Sequence, residues 1–300
     1  MNQYGNIHHP SGMVRPAGQR KASRQRISRL RCLLYLLLFL LFGLHGTAQK
    51  TGKQSFSMNP GENYIYEVSF KWGLLLRAGE ASFAYKPDQS VAGATSHYHM
   101  TFKSAKFFDS FFKMRDTLST YYNDNNTLVY SIKNSDEGNY YTIDILNFKK
   151  EGDNTTVHSQ RYVPPVKKID TILTAQGDVA DLLGVIFYIR GINRSLLKSG
   201  DVFPLTVAIG KDLVKIQFIY QNPTPITQGN VKYNTHYFKI DIFDDAFEST
   251  KTAAEVWVGD DDNFLPIKVR SKLKIGYAEI SYKSSSGLAH PFNSRVEMKK

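Results

Sequence analysis

The sequence predicts a mainly all-β protein, a curved antiparallel meander that forms a barrel, half-barrel or sandwich of about a dozen strands, with one buried helix near residues 178–190. Three observations predict this fold. Apolar and polar residues alternate in one short segment after another, short turn-forming sequences separate these segments, and a single long segment has helical spacing instead.

The first predicted strand shows the alternation most clearly. In residues 64–72 (YIYEVSFKW), aromatic or apolar residues occupy the even positions and mostly polar residues the odd ones. Successive side chains of a strand point to opposite faces, so one face of this segment is expected to be buried and the other wet. Sequences such as 123–126 (NDNN) and 151–154 (EGDN) are typical of the turns between strands. Further strands are predicted at 79–85, 96–104, 117–122, 128–133, 139–149, 154–163, 202–209, 212–220, 231–243, 252–259, 264–274 and 276–284.

The segment 178–190 departs from the alternation. Its apolar residues recur at helical spacing, with Asp178 as the predicted N-cap and a glycine on either side. The helix is apolar almost all round, so it is expected to be buried. A second, short helical turn is predicted at 104–113, where four phenylalanines cluster, and the segment from Pro164 to Gln176 is expected to be an internal crossover.

The first 48 residues have the features of a secretory signal peptide. Basic residues up to Arg31 precede an apolar run of 12 residues (33–44), and small residues follow it up to a predicted cleavage between Ala48 and Gln49. A membrane-spanning helix needs roughly 20 apolar residues, so a cleaved leader is favoured over a retained anchor. Translation could start at Met1 or at Met13. The predicted address is periplasmic or otherwise extracytoplasmic, with no stable membrane span after cleavage.

The mature chain is expected to be a single β-rich domain over 60–285, between a flexible N-terminus (49–59) and a tail (286–300). The leader holds seven of the 38 basic residues and no acid, which leaves 31 basic against 27 acidic residues in the mature chain. This near balance, with the predicted export, argues against a nucleic-acid partner. The single cysteine, Cys32, leaves with the leader, so no disulfide, thiol nucleophile or cysteine-based zinc site is expected.

Several short motifs, taken in order, resemble the DUF3108 family of exported bacterial proteins of uncharacterised function. The resemblance covers roughly residues 60–285 and implies an export route and an all-β fold with a small helical element. It carries no established catalytic residue to this chain. The motifs are 73–80 (GLLLRAGE), 115–117 (RDT), 137–140 (EGNY), 181–190 (DLLGVIFYIR), Gly200-Asp201, 257–267 (WVGDDDNFLPI) and Gly276.

Few residues suggest chemistry. His97 and His99 lie on one face of a predicted strand with the spacing of two metal ligands, but no third ligand is nearby in sequence, and incidental strand histidines are favoured. The acidic run 260–262 lacks the ligand spacing of a calcium loop and is expected to be a solvated hairpin turn. Fingerprints of hydrolases, P-loops and zinc proteases do not occur, so no catalytic residue, metal or cofactor is predicted.

The charged residues near apolar segments leave two interpretations open. Asp181 and Arg190 on the helix, and Arg115 beside Asp116, could be paired and fix the helix and the phenylalanine-rich segment to the sheet, which is the commoner use of such charges. Alternatively, Arg115 or Arg190 could stand at a pocket mouth and bind a carboxylate or phosphate.

The abundance of aromatic residues leaves two interiors open, because a curved sheet of this size is either filled by such side chains or leaves a ligand cavity lined by them. We predict a non-enzymatic extracytoplasmic protein that binds a hydrophobic or amphiphilic molecule, such as a lipid, in the curved sheet. The alternatives are a structural or protein-interaction module of the cell envelope and, less favoured, an enzyme acting on glycans. Arg115 or Arg190 would bind the head group, and the apolar wall would comprise Trp72, Phe83, Phe107, Phe111 and Trp257.

Overall fold

The structure is a computed structural model that describes residues 58–138, 140–243, 252–273 and 276–296. The side chains of Trp72 and Phe111 lie outside this description. The leader predicted over 1–48, its cleavage point and residues 49–57 also lie outside the described residues.

The described chain consists mainly of β-strands, with two short α-helices and one 3-10 turn at Arg194–Leu196. The helices are α1 (Lys106–Phe112) and α2 (Gly184–Arg190). The strands are β1 (Asn63–Trp72), β2 (Leu74–Pro87), β3 (Ser96–Ser104), β4 (Met114–Tyr122), β5 (Leu128–Glu137), β6 (Tyr140–Glu151), β7 (Asn154–Val163), β8 (Val166–Gln176), β9 (Val179–Ala180), β10 (Val202–Ile209), β11 (Asp212–Pro223), β12 (Ile226–Gln228), β13 (Val231–Tyr233), β14 (Thr235–Phe243), β15 (Ala254–Gly259), β16 (Pro266–Lys272), β17 (Tyr277–Ser286) and β18 (Arg295–Val296).

Fifteen of the strands form one sheet in the order β8-β7-β6-β5-β4-β3-β2-β1-β17-β16-β15-β14-β11-β10-β9, and β12, β13 and β18 form a small second sheet. All pairs in the large sheet are antiparallel except β9 with β10. The two outermost strands, β8 and β9, are separated by only two residues of the chain. Consecutive Cα atoms are 3.8 Å apart, so Gln176 and Val179 lie within about 11 Å of each other. The sheet therefore curls until its edges nearly meet, which confirms the predicted all-β, barrel-like fold.

The inner face of the curl is apolar, as the alternation predicts. Tyr64 of β1 stacks on Phe83 of β2 with ring centroids 5.2 Å apart, and Tyr98 of β3 is fully buried beside them. Across the interior, β10, β11 and β14 contribute a second buried cluster that includes Phe218 and Phe238. Helix α2 lies between the two clusters and contacts both, so it fills the middle of the barrel.

Three local predictions were wrong in detail. The segment expected as a crossover forms β8, which pairs with β7 across a tight turn at the cis Pro164–Pro165 bond. The single strand expected at 231–243 is two strands, β13 and β14. Helix α2 begins at Gly184 and not at Asp178, because residues 179–180 pair with β10 as β9. In the described residues, no helix has the length and apolar character of a membrane-spanning segment.

Candidate functional site

A cleft of about 400 Å³ opens at one end of the barrel. At this end β2 and β4 finish and β3 and β5 begin. Its walls come from α2, β9, the β4–β5 turn, the β6–β7 hairpin and β10. The described lining residues are Met58, Tyr85, Ser96, Tyr122, Asn125, Asn126, Thr127, Leu128, Lys150, Thr155, Asp178, Val179, Ala180, Gly184, Phe187, Tyr188, Gly191 and Leu205.

The inner wall of the cleft is apolar and aromatic. Phe187 of α2 packs edge-to-face on Tyr98, with ring centroids 4.3 Å apart, and lies 4.9 Å from the ring of Tyr122. Leu128 and Leu205 add aliphatic surface from the two opposite halves of the sheet. This wall is the cleft-facing part of the core, so an apolar group bound there would replace water on a preformed surface.

The rim of the cleft is polar. Lys150, at the end of β6, forms an ion pair with Asp178 beside β9. Across the opening, the side-chain oxygen of Asn123 accepts hydrogen bonds from the backbone N–H groups of Asn125 (3.0 Å) and Thr127 (2.9 Å), which fixes the conformation of the β4–β5 turn. The cleft thus combines an apolar interior with a rim that offers a cation, a carboxylate and amide groups.

Asp181 fixes the start of α2. Its carboxylate accepts hydrogen bonds from the hydroxyls of Thr120 on β4 and Ser131 on β5 (2.6 Å to the latter) and from the backbone N–H of Gly184 (2.7 Å). Burial raises the pKa of the Asp181 carboxyl above its ordinary value, although these three donors oppose the shift. The residue therefore fastens the helix to the inner face of the sheet.

Arg190 fixes the end of the same helix. Its guanidinium donates to Glu62 (2.5 Å) and to the backbone carbonyl of Asn263 (2.9 Å), and it lies 5.7 Å from the centre of the Tyr64 ring. The side chains of Arg190 and Glu62 are 1% and 0% exposed. This buried pair joins α2 to the segment that leads into β1 and to the β15–β16 turn, which supports the interpretation of Arg190 as a structural residue.

The predicted ligand-binding residues whose side chains the structure describes lie in different parts of the fold. Phe83 is buried in the core, and Trp257 stacks on Tyr237 on the outer face of the sheet. Phe107 is exposed on α1, and Arg115 pairs with Asp109 on the outside of the barrel. None of the seven predicted residues is among the described lining of the cleft, and for Trp72 and Phe111 only the backbone position is described.

The cleft could not be predicted from the sequence, because its lining is scattered over many segments of the chain. Some of its polar residues, such as Asn125 and Asn126, lie in a turn, where asparagine is common for conformational reasons alone. One signal was present in the sequence: Lys150 and Asp178 each stand at the end of a strand-like segment, one basic and one acidic. Only the near closure of the sheet brings these two ends together.

A second group of charged residues crosses the inner face of β4 to β7. Asp116, Lys133, Asp144 and Arg161 lie on successive strands, and Arg161 forms an ion pair with Asp144. Burial raises the pKa of the Asp116 carboxyl to about 6, although the nearby Lys133 opposes the shift. Burial also lowers the pKa of Lys133 to about 8, against the attraction of Asp116 and Asp144.

These two shifts predict a pH dependence of stability. As pH rises from about 4 to about 6, the unfolded state loses the Asp116 proton first, so the free energy of unfolding should fall by about 1–2 kcal/mol. From pH 8 to about 10, the folded state loses the Lys133 proton first, so stability should rise again. Urea unfolding across this range tests both limbs. Asp116→Asn should remove the fall in the free energy of unfolding between about pH 4 and 6, and Lys133→Met should remove its rise above about pH 8. If the pH dependence were the same in these variants as in the wild type, Asp116 and Lys133 would not be its source.

The two motifs considered for metal binding have local partners. His97 lies 3.3 Å from Asp88 and stacks on Tyr121, and His99 is 2.9 Å from the hydroxyl of Ser119. The acidic run 260–262 forms the β15–β16 turn, where Arg194 contacts Asp260 and Asp262 while Asp261 accepts backbone hydrogen bonds. Within the described ranges, no group of three histidine, cysteine or acidic side chains is arranged to hold a metal ion.

Several solved structures resemble this chain at low sequence identity, and three of them follow. A β-barrel-like DUF1849 protein from Brucella abortus has a TM-score of 0.51 and 8% identity, over 76% of this chain and 98% of that one. Two further structures are more distant. One is a candidate lipoprotein from Parabacteroides distasonis, with a TM-score of 0.31 and 10% identity over 79% of this chain and 100% of that one. The other is a candidate exported protein with a YmcC-like fold from Bacteroides fragilis, with a TM-score of 0.29 and 6% identity over 78% of this chain and 100% of that one. The Brucella abortus structure supports the barrel-like fold and nothing further.

No curated protein matches the chain. The model of DUF3108, a protein family of unknown function, matches residues 65–282. The match extends from β1 to β17 and includes both halves of the barrel and helix α2. The chain therefore belongs to the DUF3108 family.

Proposed function

We propose that the protein is a non-enzymatic, extracytoplasmic binding protein that holds an amphiphilic molecule, such as a lipid with one acyl chain, in the cleft. The observation that carries the proposal is the cleft itself, about 400 Å³ at the mouth of the barrel with an apolar interior and a polar rim. Small-molecule sites are commonly clefts of about 300–1,000 Å³ with mainly apolar walls and a few polar groups, and barrel mouths are a frequent position.

The arrangement suggests how such a molecule would lie. Its apolar chain would pack against Phe187, Leu128 and Leu205, where water is otherwise in contact with the core. Its head group would stay at the rim beside Lys150, whose present partner is Asp178. An anionic head group would compete with Asp178 for the ammonium group, so the acid limits affinity for anions. The predicted leader supports a location outside the cytoplasm.

Filling the cleft should weaken binding. The probe is a dansyl-labelled fatty acid, whose binding is followed by fluorescence titration. The protein is purified from the periplasmic fraction, and determining its N-terminal residue also tests the predicted cleavage. Thr127→Trp places a large ring in the opening, and we expect affinity to fall at least about tenfold, which corresponds to about 1.4 kcal/mol. The matched control is Thr174→Trp on the exposed face of β8, which should bind like the wild type.

The charged rim is tested with the same titration. Lys150→Met should weaken binding of the dansyl fatty acid but leave binding of the uncharged probe N-phenylnaphthylamine unchanged, because only the carboxylate uses the ammonium group. The proposal would be refuted if the wild type did not bind the dansyl fatty acid, or if the Thr127→Trp variant bound it with the same affinity as the wild type.

A further inference from the structure

The end of the barrel opposite the cleft carries an exposed apolar projection. The β1–β2 hairpin turns at Gly73, whose φ of 84° suits glycine. The three residues after it, Leu74, Leu75 and Leu76, are 76%, 53% and 38% exposed, and Phe107 of α1 is 62% exposed. We call these four residues the apolar tip. Neighbouring residues of a strand point to opposite faces, so three successive exposed leucines mean that the hairpin is exposed on both faces.

The apolar tip projects because β3 is shorter than its neighbour. The pairing of β2 with β3 ends at Gly79 and Ser104, so the first residues of β2 pair with β1 alone. Helix α1 starts beside this free part of β2: the N–H of Ala105 donates to the carbonyl of Ala78 (2.7 Å). The rings of Phe70 and Phe108 lie 6.0 Å apart and join the helix to the hairpin. Hairpin and helix thus form one projecting unit.

Basic side chains surround the apolar tip. Lys103, Lys106 and Lys113 are exposed at the two ends of α1, and Lys71 is half-buried on the hairpin. Among the residues that the structure describes, no carboxylate forms an ion pair with these four lysines. Three of the acids nearby have other partners: Asp109 pairs with Arg115, whereas Glu67 and Glu80 both pair with Arg77. The fringe of the tip is therefore positively charged.

We propose that the apolar tip inserts into the interfacial layer of a membrane that contains anionic lipids, with the surrounding lysines against the lipid phosphates. Apolar side chains fringed by lysines are the composition that binds anionic membrane surfaces, since the long lysine stems reach the head groups while the apolar groups enter the acyl boundary. A stable protein interface buries about 800 Å² on each partner, more than four partly exposed side chains supply. The membrane is therefore the favoured occupant over a partner protein.

The apolar tip is a different surface from the cleft, and membrane binding at the tip does not depend on ligand binding in the cleft. The test is co-sedimentation of the mature protein with vesicles of phosphatidylcholine alone and of mixed phosphatidylcholine and phosphatidylglycerol. The wild type should bind the mixed vesicles more strongly, and added salt should weaken that binding. The double variant Leu74→Ser/Leu75→Ser should lose at least about tenfold in partitioning, because its apolar contribution is removed.

Two further variants make the test specific. Ile172→Ser removes an apolar side chain of similar exposure (60%) on β8 and should bind vesicles like the wild type. Lys103→Glu/Lys106→Glu should lose the preference for phosphatidylglycerol. Circular dichroism confirms that each variant is folded. No vesicle binding by the wild type, or equal loss in the Ile172→Ser variant, would overturn the proposal and favour a partner protein at the tip.

Discussion

Replacing Arg190 with methionine is expected to lower the free energy of unfolding by about 3–5 kcal/mol, because the Glu62 carboxylate then stays buried without its cation. The two side chains are almost completely excluded from water, and the guanidinium also donates to the carbonyl of Asn263. Urea unfolding followed by far-UV circular dichroism measures the loss. The expected result is a lower midpoint with an unchanged slope.

Two comparisons separate the ion pair from general packing effects. In the double variant Arg190→Met/Glu62→Leu no charge is left buried, so it should regain much of the lost stability. Arg115→Met is the matched surface control: its pair with Asp109 is about a quarter exposed on both sides, and we expect a loss below about 1 kcal/mol. If the double variant were no more stable than Arg190→Met, the account of a stranded buried charge would be wrong.

Removing the Asp181 carboxylate is the second large expected effect. Asp181→Ala leaves the hydroxyls of Thr120 and Ser131 and the N–H of Gly184 without their acceptor inside the barrel. Each buried polar group without a partner costs about 1–3 kcal/mol, so the free energy of unfolding should fall by roughly 3–5 kcal/mol. Thermal and urea unfolding both measure this loss.

Asp181→Asn is the informative companion. Burial raises the pKa of the Asp181 carboxyl, so the protein gains little from its negative charge, and an amide oxygen can still accept hydrogen bonds. We expect the asparagine variant to lose less than half as much stability as the alanine variant. Equal losses in the two variants would show that the charge matters more than the acceptor.

Much of the fold could be predicted because a two-residue period directly reports which face of a strand is buried. The segment 166–176 escaped because β8 contains no fully buried residue, so its alternation is weak, and because a Pro-Pro sequence resembles the end of a strand. The start of α2 was displaced for a different reason. Residues 179–180 are apolar and pair with β10 as strand β9, but the same two side chains also fit a helical pattern.

The site could be predicted only in part. Asp181 and Arg190 were recognisable in the sequence as charges that needed partners, but the sequence did not identify those partners. Glu62 reaches Arg190 only through the folded barrel, and Thr120 and Ser131 reach Asp181 through the register of β4 with β5. The leucines of the apolar tip did leave a signal, since three in succession after Gly73 break the alternation. Long-range register is the information that a single sequence does not contain.

The strand order also has a consequence for folding. If the end of β17 is imagined joined to the start of β1, every neighbouring pair in the large sheet is consecutive among the strands of that sheet along a circular chain. In the actual chain, therefore, nearly all pairings are local, and the β1–β17 pair alone must bring together the two ends of the domain. Local pairs form quickly, whereas a distant pair carries the entropy of closing a very long loop. Until residues 277–286 arrive, β1 presents an unpaired edge to any other extended chain, and this edge is then exposed to aggregation.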